Sequence, residues 1–254
     1  MKTFHQLQEG VYDPNIFKAI FLAGGPGSGK SYVVRRTTGG LGMKIVNSDD
    51  IYEKMLNDAG LDTTPEDIYS DQGQEIRGKA KAVTKRMQGN FLEGRLGLII
   101  DGTGKDYDKI ARQVSGLKAL GYECYMIFVN TSLETAQERN KMRKRTLAPK
   151  AVESMWNEVQ NNIGKFQRLF GGKSFIVVDN NDAGEDVFEK VWKRCMLLVR
   201  KKVKNPIAKK WIAAELLKKR LGSDKIASKP KGTEVIRKIA DKPTIRKTPV
   251  QTPT

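Results

Sequence analysis

The chain has 254 residues, 39% of them apolar, with 46 Lys+Arg against 29 Asp+Glu, one histidine and two cysteines. That is enough for one α/β domain and an appendage. It excludes a bilayer span, since no apolar run approaches the ~20 residues a spanning helix needs, and it leaves His5 as the sole basis for a histidine triad or histidine metal site.

The formal charge of +17 is unevenly spread. Residues 1–192 carry 27 Lys+Arg and 25 Asp+Glu, whereas residues 193–254 carry 19 and 4. The basic character therefore belongs to the C-terminal region and speaks of partners rather than of fold. Cys124 and Cys195 sit among apolar neighbours and read as small buried hydrophobes, not as a disulfide or metal ligands. The first six residues carry no apolar signal segment, so a reducing, cytoplasmic setting is expected.

The first apolar run, 19–23, reads as a buried strand. Directly after it comes Gly24-Gly25-Pro26-Gly27-Ser28-Gly29-Lys30-Ser31, which fits the phosphate-loop pattern of Gly, four free positions and Gly-Lys-Ser. A helix over 29–37 is expected to follow, opening with Tyr32. Strand, loop and helix in that order are the context the motif requires. Its glycines let backbone N–H groups wrap a polyphosphate, and the helix N-terminus adds its positive end. Residues 24–32 are thus the candidate ATP cradle, with Lys30 reaching the β- and γ-phosphates and the Ser31 hydroxyl taking a Mg²⁺ position.

Further along, strands are expected at 44–47, 96–101, 124–129 and 174–178, alternating with helices at 49–59, 70–93, 105–120, 132–145, 149–170 and 183–203. That alternation predicts a five-stranded parallel sheet with helices on both faces. Its strands are near-continuous Val/Ile/Phe runs, as a sheet buried on both sides demands. Ligands in such a fold bind beyond the carboxyl ends of the strands.

The residues at those ends are polar or acidic. After the second strand stands Asn47-Ser48-Asp49-Asp50. One aspartate there can cap the next helix while the other accepts a proton from a substrate hydroxyl. After the third strand stands Asp101-Gly102-Thr103-Gly104, where the acid can hold Mg²⁺ directly or through water. After the fourth, Thr131 and Glu134 have capping-box spacing. Arg139 and Arg143 then share one helical face, and Arg145 follows before Pro149 opens a new helix. Mobile positive charge of this kind suits a transferring phosphoryl group.

Together the phosphate loop, Asn47-Ser48-Asp49-Asp50-Ile51-Tyr52, Ile100-Asp101-Gly102-Thr103-Gly104, Glu138-Arg139-Asn140 and Arg145-Thr146-Leu147-Ala148-Pro149-Lys150 resemble the zeta-toxin and polynucleotide-kinase branch of the P-loop kinases, over roughly residues 17–180. The resemblance implies a P-loop NTPase fold with an arginine-bearing lid at about 139–150. It implies that Asp49 is the catalytic carboxylate and that Lys30, Arg139 and Arg145 stabilise the transferring group. Asp101 would lie near the metal, with Asp50, Thr103 and Arg143 near the substrate. Two positions depart from the family. Lys85 stands where zeta toxins carry a substrate-gripping Glu, and no Arg follows Asp49-Asp50 as it does in polynucleotide kinases.

The kinase domain is expected to span 1–203. Asn205-Pro206 then signals a basic helix over 204–222, with Ile207, Trp211, Ala214, Leu217 and Leu221 on one face and Gly222 as its stop. The reading preferred is a helix docked by that stripe, with an anionic membrane surface or a nucleic acid as other partners. Residues 223–254 are rich in Pro, Thr, Lys and Ser and are expected to lack a fixed fold, apart from a short patch at 235–239. Residues 205–254 thus offer a basic arm for nucleic acid or an acidic protein. The functional expectation is an ATP/Mg²⁺-dependent kinase acting on a hydroxyl of a small molecule or nucleotide. A nucleic-acid 5′-hydroxyl kinase is one alternative, and an ATP-binding module that recruits a partner through its basic tail is another.

Overall fold

The computed structural model describes residues 10–142 and 146–223. His5, Arg143, Arg145 and the expected tail with its 235–239 patch lie outside the described residues. Five strands form one sheet: β1 Lys18–Ala23, β2 Lys44–Val46, β3 Leu98–Asp101, β4 Glu123–Asn130 and β5 Phe175–Asp179. Their order is β2-β3-β1-β4-β5, and every pairing is parallel. Ten helices follow the strands in the described chain: α1 Lys30–Thr38, α2 Ser48–Asp58, α3 Pro65–Tyr69, α4 Asp71–Glu93, α5 Tyr107–Ala119, α6 Leu133–Lys141, α7 Pro149–Gln160, α8 Ile163–Phe170, α9 Glu185–Val199 and α10 Pro206–Ser223.

Period-two alternation along the central strands divides the core in two. Ala19, Phe21 and Ala23 of β1, with Cys124, Met126 and Phe128 of β4, face Ile110, Val114 and Leu117 of α5 and Phe166 and Phe170 of α8. Ile20 and Leu22, with Tyr125, Ile127 and Val129, face Val33 and Val34 of α1 and Phe188, Val191 and Cys195 of α9. The continuous apolar runs of the sequence are this two-sided burial. A third, smaller core joins Tyr52 and Leu56 of α2, Ile68 of α3 and Ile76 and Ala80 of α4. That helical group follows β2 and returns the chain to β3. Both cysteines are free and buried, and burial pushes each thiol up to about 12.

Helix boundaries differ from expectation where tertiary bonds intervene. The expected helix 149–170 is two helices, α7 and α8, parted at Asn161 and Asn162. At that break the Asn162 amide, itself buried, donates to the Gly104 and Lys105 carbonyls at 3.0 and 2.8 Å, pinning the loop after β3. The short α3 was not expected, although Thr64 caps it and Pro65 opens it. Helix α5 starts at Tyr107 rather than 105 because the Asp106 carboxylate caps it, accepting the Lys109 N–H at 2.9 Å. Helix α6 runs Leu133–Lys141 with Met142 as its C-cap, and the rest of the expected span to 145 lies outside the described residues.

The chain divides into two compact units, Met1–Ala213 and Ala214–Thr254, with the division inside α10. In the first unit Ala208 is buried and Trp211 packs edge-on against Phe17 at 5.5 Å. In the second, Lys218 pairs with Glu215 on the helix surface. Among the described residues no helix is long and apolar enough to cross a membrane.

Phe166 is fully buried under the loop after β3 and tilts against Tyr107 at 5.6 Å. Phe166→Ala is expected to cost about 3–5 kcal/mol of unfolding free energy in urea titrations. A loss below about 1 kcal/mol would show that this layer does not carry the fold.

Candidate phosphate-binding and acid site

The loop between β1 and α1 takes its shape from three glycines. Gly27 and Gly29 have φ of 74° and 73°, the left-handed region that side chains avoid. A Cβ on Gly27 would run into the Ala136 carbonyl of α6, and one on Gly29 would lie 2.5 Å from the Asn180 amide nitrogen. Gly24 donates its N–H to the Thr103 carbonyl at 3.0 Å, fastening the loop to the segment after β3. So β1, β3, α6 and the β5 exit all close on residues 24–29.

Asparagines at the strand ends fasten the rest of the rim. Asn180, after β5, is buried and donates its amide to the Ser28 carbonyl at 2.7 Å. Its backbone N–H meets the Asn130 carbonyl of β4 at 2.8 Å. The Asn181 side chain accepts from the Ser132 N–H at 2.7 Å, so the β4 and β5 exits are tied together. Helix α7 grips the same place, with Trp156 donating to the Thr131 carbonyl at 2.9 Å and Gln160 to the Asn130 side chain at 2.7 Å.

On the other side of the loop, the Lys30 ammonium is ion-paired with the Asp101 carboxylate at the end of β3. Their side chains are only 17% and 14% exposed, so this is a partly desolvated pair. The second Asp101 oxygen accepts from the Asn47 amide at 3.2 Å. The same amide donates to Asp50 at 2.9 Å, while its oxygen caps α2 by accepting the Asp49 N–H at 2.9 Å. Burial, followed by the neighbouring charge of Asp101, raises the Asp50 carboxyl above its ordinary 3.8, against the hydrogen bond from Asn47 that lowers it. Asp49 is exposed beside it.

Further groups stand ready around the loop. Arg139 of α6 donates to the Asn181 carbonyl at 2.8 Å through one nitrogen. Its other terminal nitrogen is buried with no partner among the described residues, and it lies next to Gly29. The Ser28 hydroxyl, 2% exposed, also has no partner there. Unsatisfied buried donors are rare in native proteins, and two beside one glycine loop are donors suited to an anion. Ser31 and Tyr32 are exposed on the first turn of α1, with Tyr32 packed edge-on against Phe188 at 5.4 Å.

The expected residues Gly24, Gly25, Pro26, Gly27, Ser28, Gly29, Lys30, Ser31, Asp49, Asp50, Asp101, Thr103 and Arg139 therefore stand on one rim. Thr103 takes part through its carbonyl, and its residue is exposed. Arg143 and Arg145 fall outside the described residues; at the base of that segment the buried Asn140 amide holds the Leu147 N–H and carbonyl at 3.1 and 2.8 Å. A cavity of about 200 Å³ adjoins Asp101 and is lined by Thr103, Lys105, Asp106 and Lys109. Sequence reading did not single out the side chains of Asn47, Asn140, Asn162 or Asn180. The only signal was an Asn at or beside a strand or helix end.

The AAA domain family's sequence model matches residues 20–165. No curated protein matches the chain. Among solved structures, the AvrRxo1-ORF1:-ORF2 complex with ATP aligns at 14% identity and a TM-score of 0.50, over 69% of this chain and 63% of that one. A gluconokinase from Sinorhizobium meliloti 1021 aligns at 15% identity and a TM-score of 0.44, over 72% of this chain and 94% of its own. Shikimate kinase from Aquifex aeolicus vf5 aligns at 16% identity and a TM-score of 0.43, over 71% and 95%. At such identities the likeness is one of fold, and the fold is that of the P-loop NTPases.

The raised Asp50 carboxyl has a stability consequence. The folded chain holds that proton more tightly than the unfolded one, so the carboxylate's ionisation destabilises the fold as pH rises from 3.8 through the raised value. Asp50→Asn is expected to melt higher than the parent chain at neutral pH, with the gap closing as pH falls toward 3.8. A variant that melts lower at neutral pH would contradict this reading of the carboxylate.

Proposed function

This chain belongs to the AAA domain family, and on that premise we propose that it is a phosphotransferase of the P-loop kinase type, moving the γ-phosphoryl of ATP to a hydroxyl of a small molecule or nucleotide. One observation carries the reading. The phosphate-loop lysine meets an acid at the end of β3, and a single amide links that acid to the aspartate pair at the end of β2. A nucleotide-binding module needs the first contact. Carboxylates at that rim would orient the acceptor hydroxyl that a transferase brings to the last phosphate.

The ATP tail would lie along residues 24–31, where Ser28 and the free nitrogen of Arg139 gain the partner they lack. Lys30 would exchange Asp101 for the β- and γ-phosphate oxygens, spreading positive charge over the group in transit. By the zeta-toxin resemblance Asp49 is the base; both aspartates are exposed at the rim, and Asn47 donates to the Asp50 carboxylate. As the acceptor oxygen bonds to phosphorus and the β–γ bridging bond breaks, the hydroxyl proton passes to Asp49 and the electron pair leaves with ADP. Arg143 and Arg145 would join Arg139 by the zeta-toxin resemblance.

Mg²⁺ fits the donors present. Among the described residues no group of three or more His, Cys, Asp or Glu forms a cage. Magnesium, however, is held by one or two carboxylates and substrate phosphates, and Ser31 and Asp101 offer such oxygens. Bound there, it would neutralise charge on the β- and γ-phosphates. A cytoplasmic setting fits a substrate such as ATP, and residues 205–254 would serve there as a basic arm for nucleic acid or an acidic protein.

The test is a screen of hydroxyl acceptors with γ-labelled ATP. The full chain is expected to label one class of acceptor. Lys30→Ala should lower kcat by at least about 10²-fold. Asp49→Asn should lower kcat by about 10²–10⁴-fold while leaving ATP affinity unchanged. Transfer by Asp49→Asn at the parent rate would refute the assignment, and ATP binding with no labelled acceptor would favour the recruiting module.

A further inference from the structure

Among the rim side chains, Asn47 is the one bonded to three acidic residues at once. Its carboxamide has two N–H donors and an accepting oxygen. One donation reaches Asp50 at 2.9 Å, another reaches Asp101 at 3.2 Å, and the oxygen takes the Asp49 N–H at 2.9 Å. The residue closes β2 and caps α2, so it stands between the helical group α2–α4 and the Lys30–Asp101 pair.

Capping alone does not require this residue. Ser, Asp and Asn cap helices about equally well. Only Asn and Gln add a neutral amide that donates twice, and the carboxylates of Asp50 and Asp101 repel each other without a donor between them. Asn47 is also the second donor to Asp101 among the described residues, the first being Lys30. Once phosphate draws Lys30 away, Asn47 is the protein group left holding Asp101.

We propose that Asn47 is a positioning residue, a neutral cross-brace that holds Asp50 and Asp101 at a fixed separation and aims Asp49 through its backbone, so that the acceptor side and the nucleotide side of the rim stay in register. The proposal rests on the phosphotransfer reading for its effect on rate, and on geometry alone for the brace itself. It gives Asn47 no contact with the reacting atoms. Its work is done when Lys30 changes partners.

Asn47→Ser keeps an oxygen cap and removes the amide, and Asn47→Asp keeps the cap but sets a further carboxylate beside Asp50 and Asp101. Asn47→Ser is expected to melt within about 3 °C of the parent and to bind ATP with unchanged affinity, whereas Asn47→Asp should melt lower because the added carboxylate repels Asp50 and Asp101. Their kcat should fall at least about tenfold, with Asn47→Asp the slower. Parent-like kcat in Asn47→Ser would reduce the residue to a helix cap.

A second measurement needs no substrate. Titration of the Asp50 side-chain carboxyl by carbon-13 NMR should move upward in Asn47→Ser, because the lowering hydrogen bond is lost while Asp101, Asp49 and Glu53 remain. An unmoved titration would overturn the brace. A shifted titration in a chain that labels no acceptor would leave the brace standing and remove the kinase reading instead.

Discussion

The interaction on which the proposed reading depends is the Lys30–Asp101 pair, because Lys30 would not serve Asp101 and a polyphosphate at full strength together. The ion pair is partly desolvated, at 17% and 14% exposure, so removing its cation without replacement would strand a poorly hydrated carboxylate. The surroundings provide the replacement in advance. Asn47 already donates to Asp101. The arriving anion in turn meets donors without partners at Ser28 and Arg139. The loop is poised so that one exchange of partners satisfies several groups.

That exchange needs a rim that does not move with it. Parallel strands deliver all five exits to one edge, and hydrogen bonds run across that edge without a break. Asn47 joins β2 to β3, Lys30 and Gly24 join β3 to the loop after β1, Asn180 joins that loop to β5, and Asn181 joins β5 to β4. Asn162 pins the β3 loop from α8. Asparagine recurs because it can donate and accept at once without adding charge beside acids and phosphate. The two glycines with positive φ are fixed by the same closeness, since the Ala136 carbonyl and the Asn180 amide leave no room for a Cβ.

What the sequence made legible is what local chemistry dictates. The strands are visible because both faces are buried, so Ile, Val and Phe run unbroken through Phe21, Ile99 and Ile127. The phosphate loop is visible because its glycines and lysine have fixed spacing, Asp101 because it directly follows an apolar run, and Asp49 and Asp50 because they close the polar segment after one. The break at Asn161 and Asn162 has a local signal, two asparagines and Gly164, which are weak helix formers; what the sequence does not show is that the Asn162 amide reaches the distant carbonyls of Gly104 and Lys105. The Asn47 brace is hidden for the same reason: a cap is a local property, whereas its bond to Asp101 spans 54 residues. That Lys30 and Asp101 stand paired could not be read from two separate motifs.

The account stands on where Lys30 goes. A structure of the full chain with a non-hydrolysable ATP analogue tests it most directly. The triphosphate should occupy residues 24–31, with the Lys30 ammonium moved from Asp101 onto phosphate oxygens and Asn47 still bonded to Asp101. An analogue bound elsewhere, or seated in the loop with Lys30 still on Asp101, would contradict it.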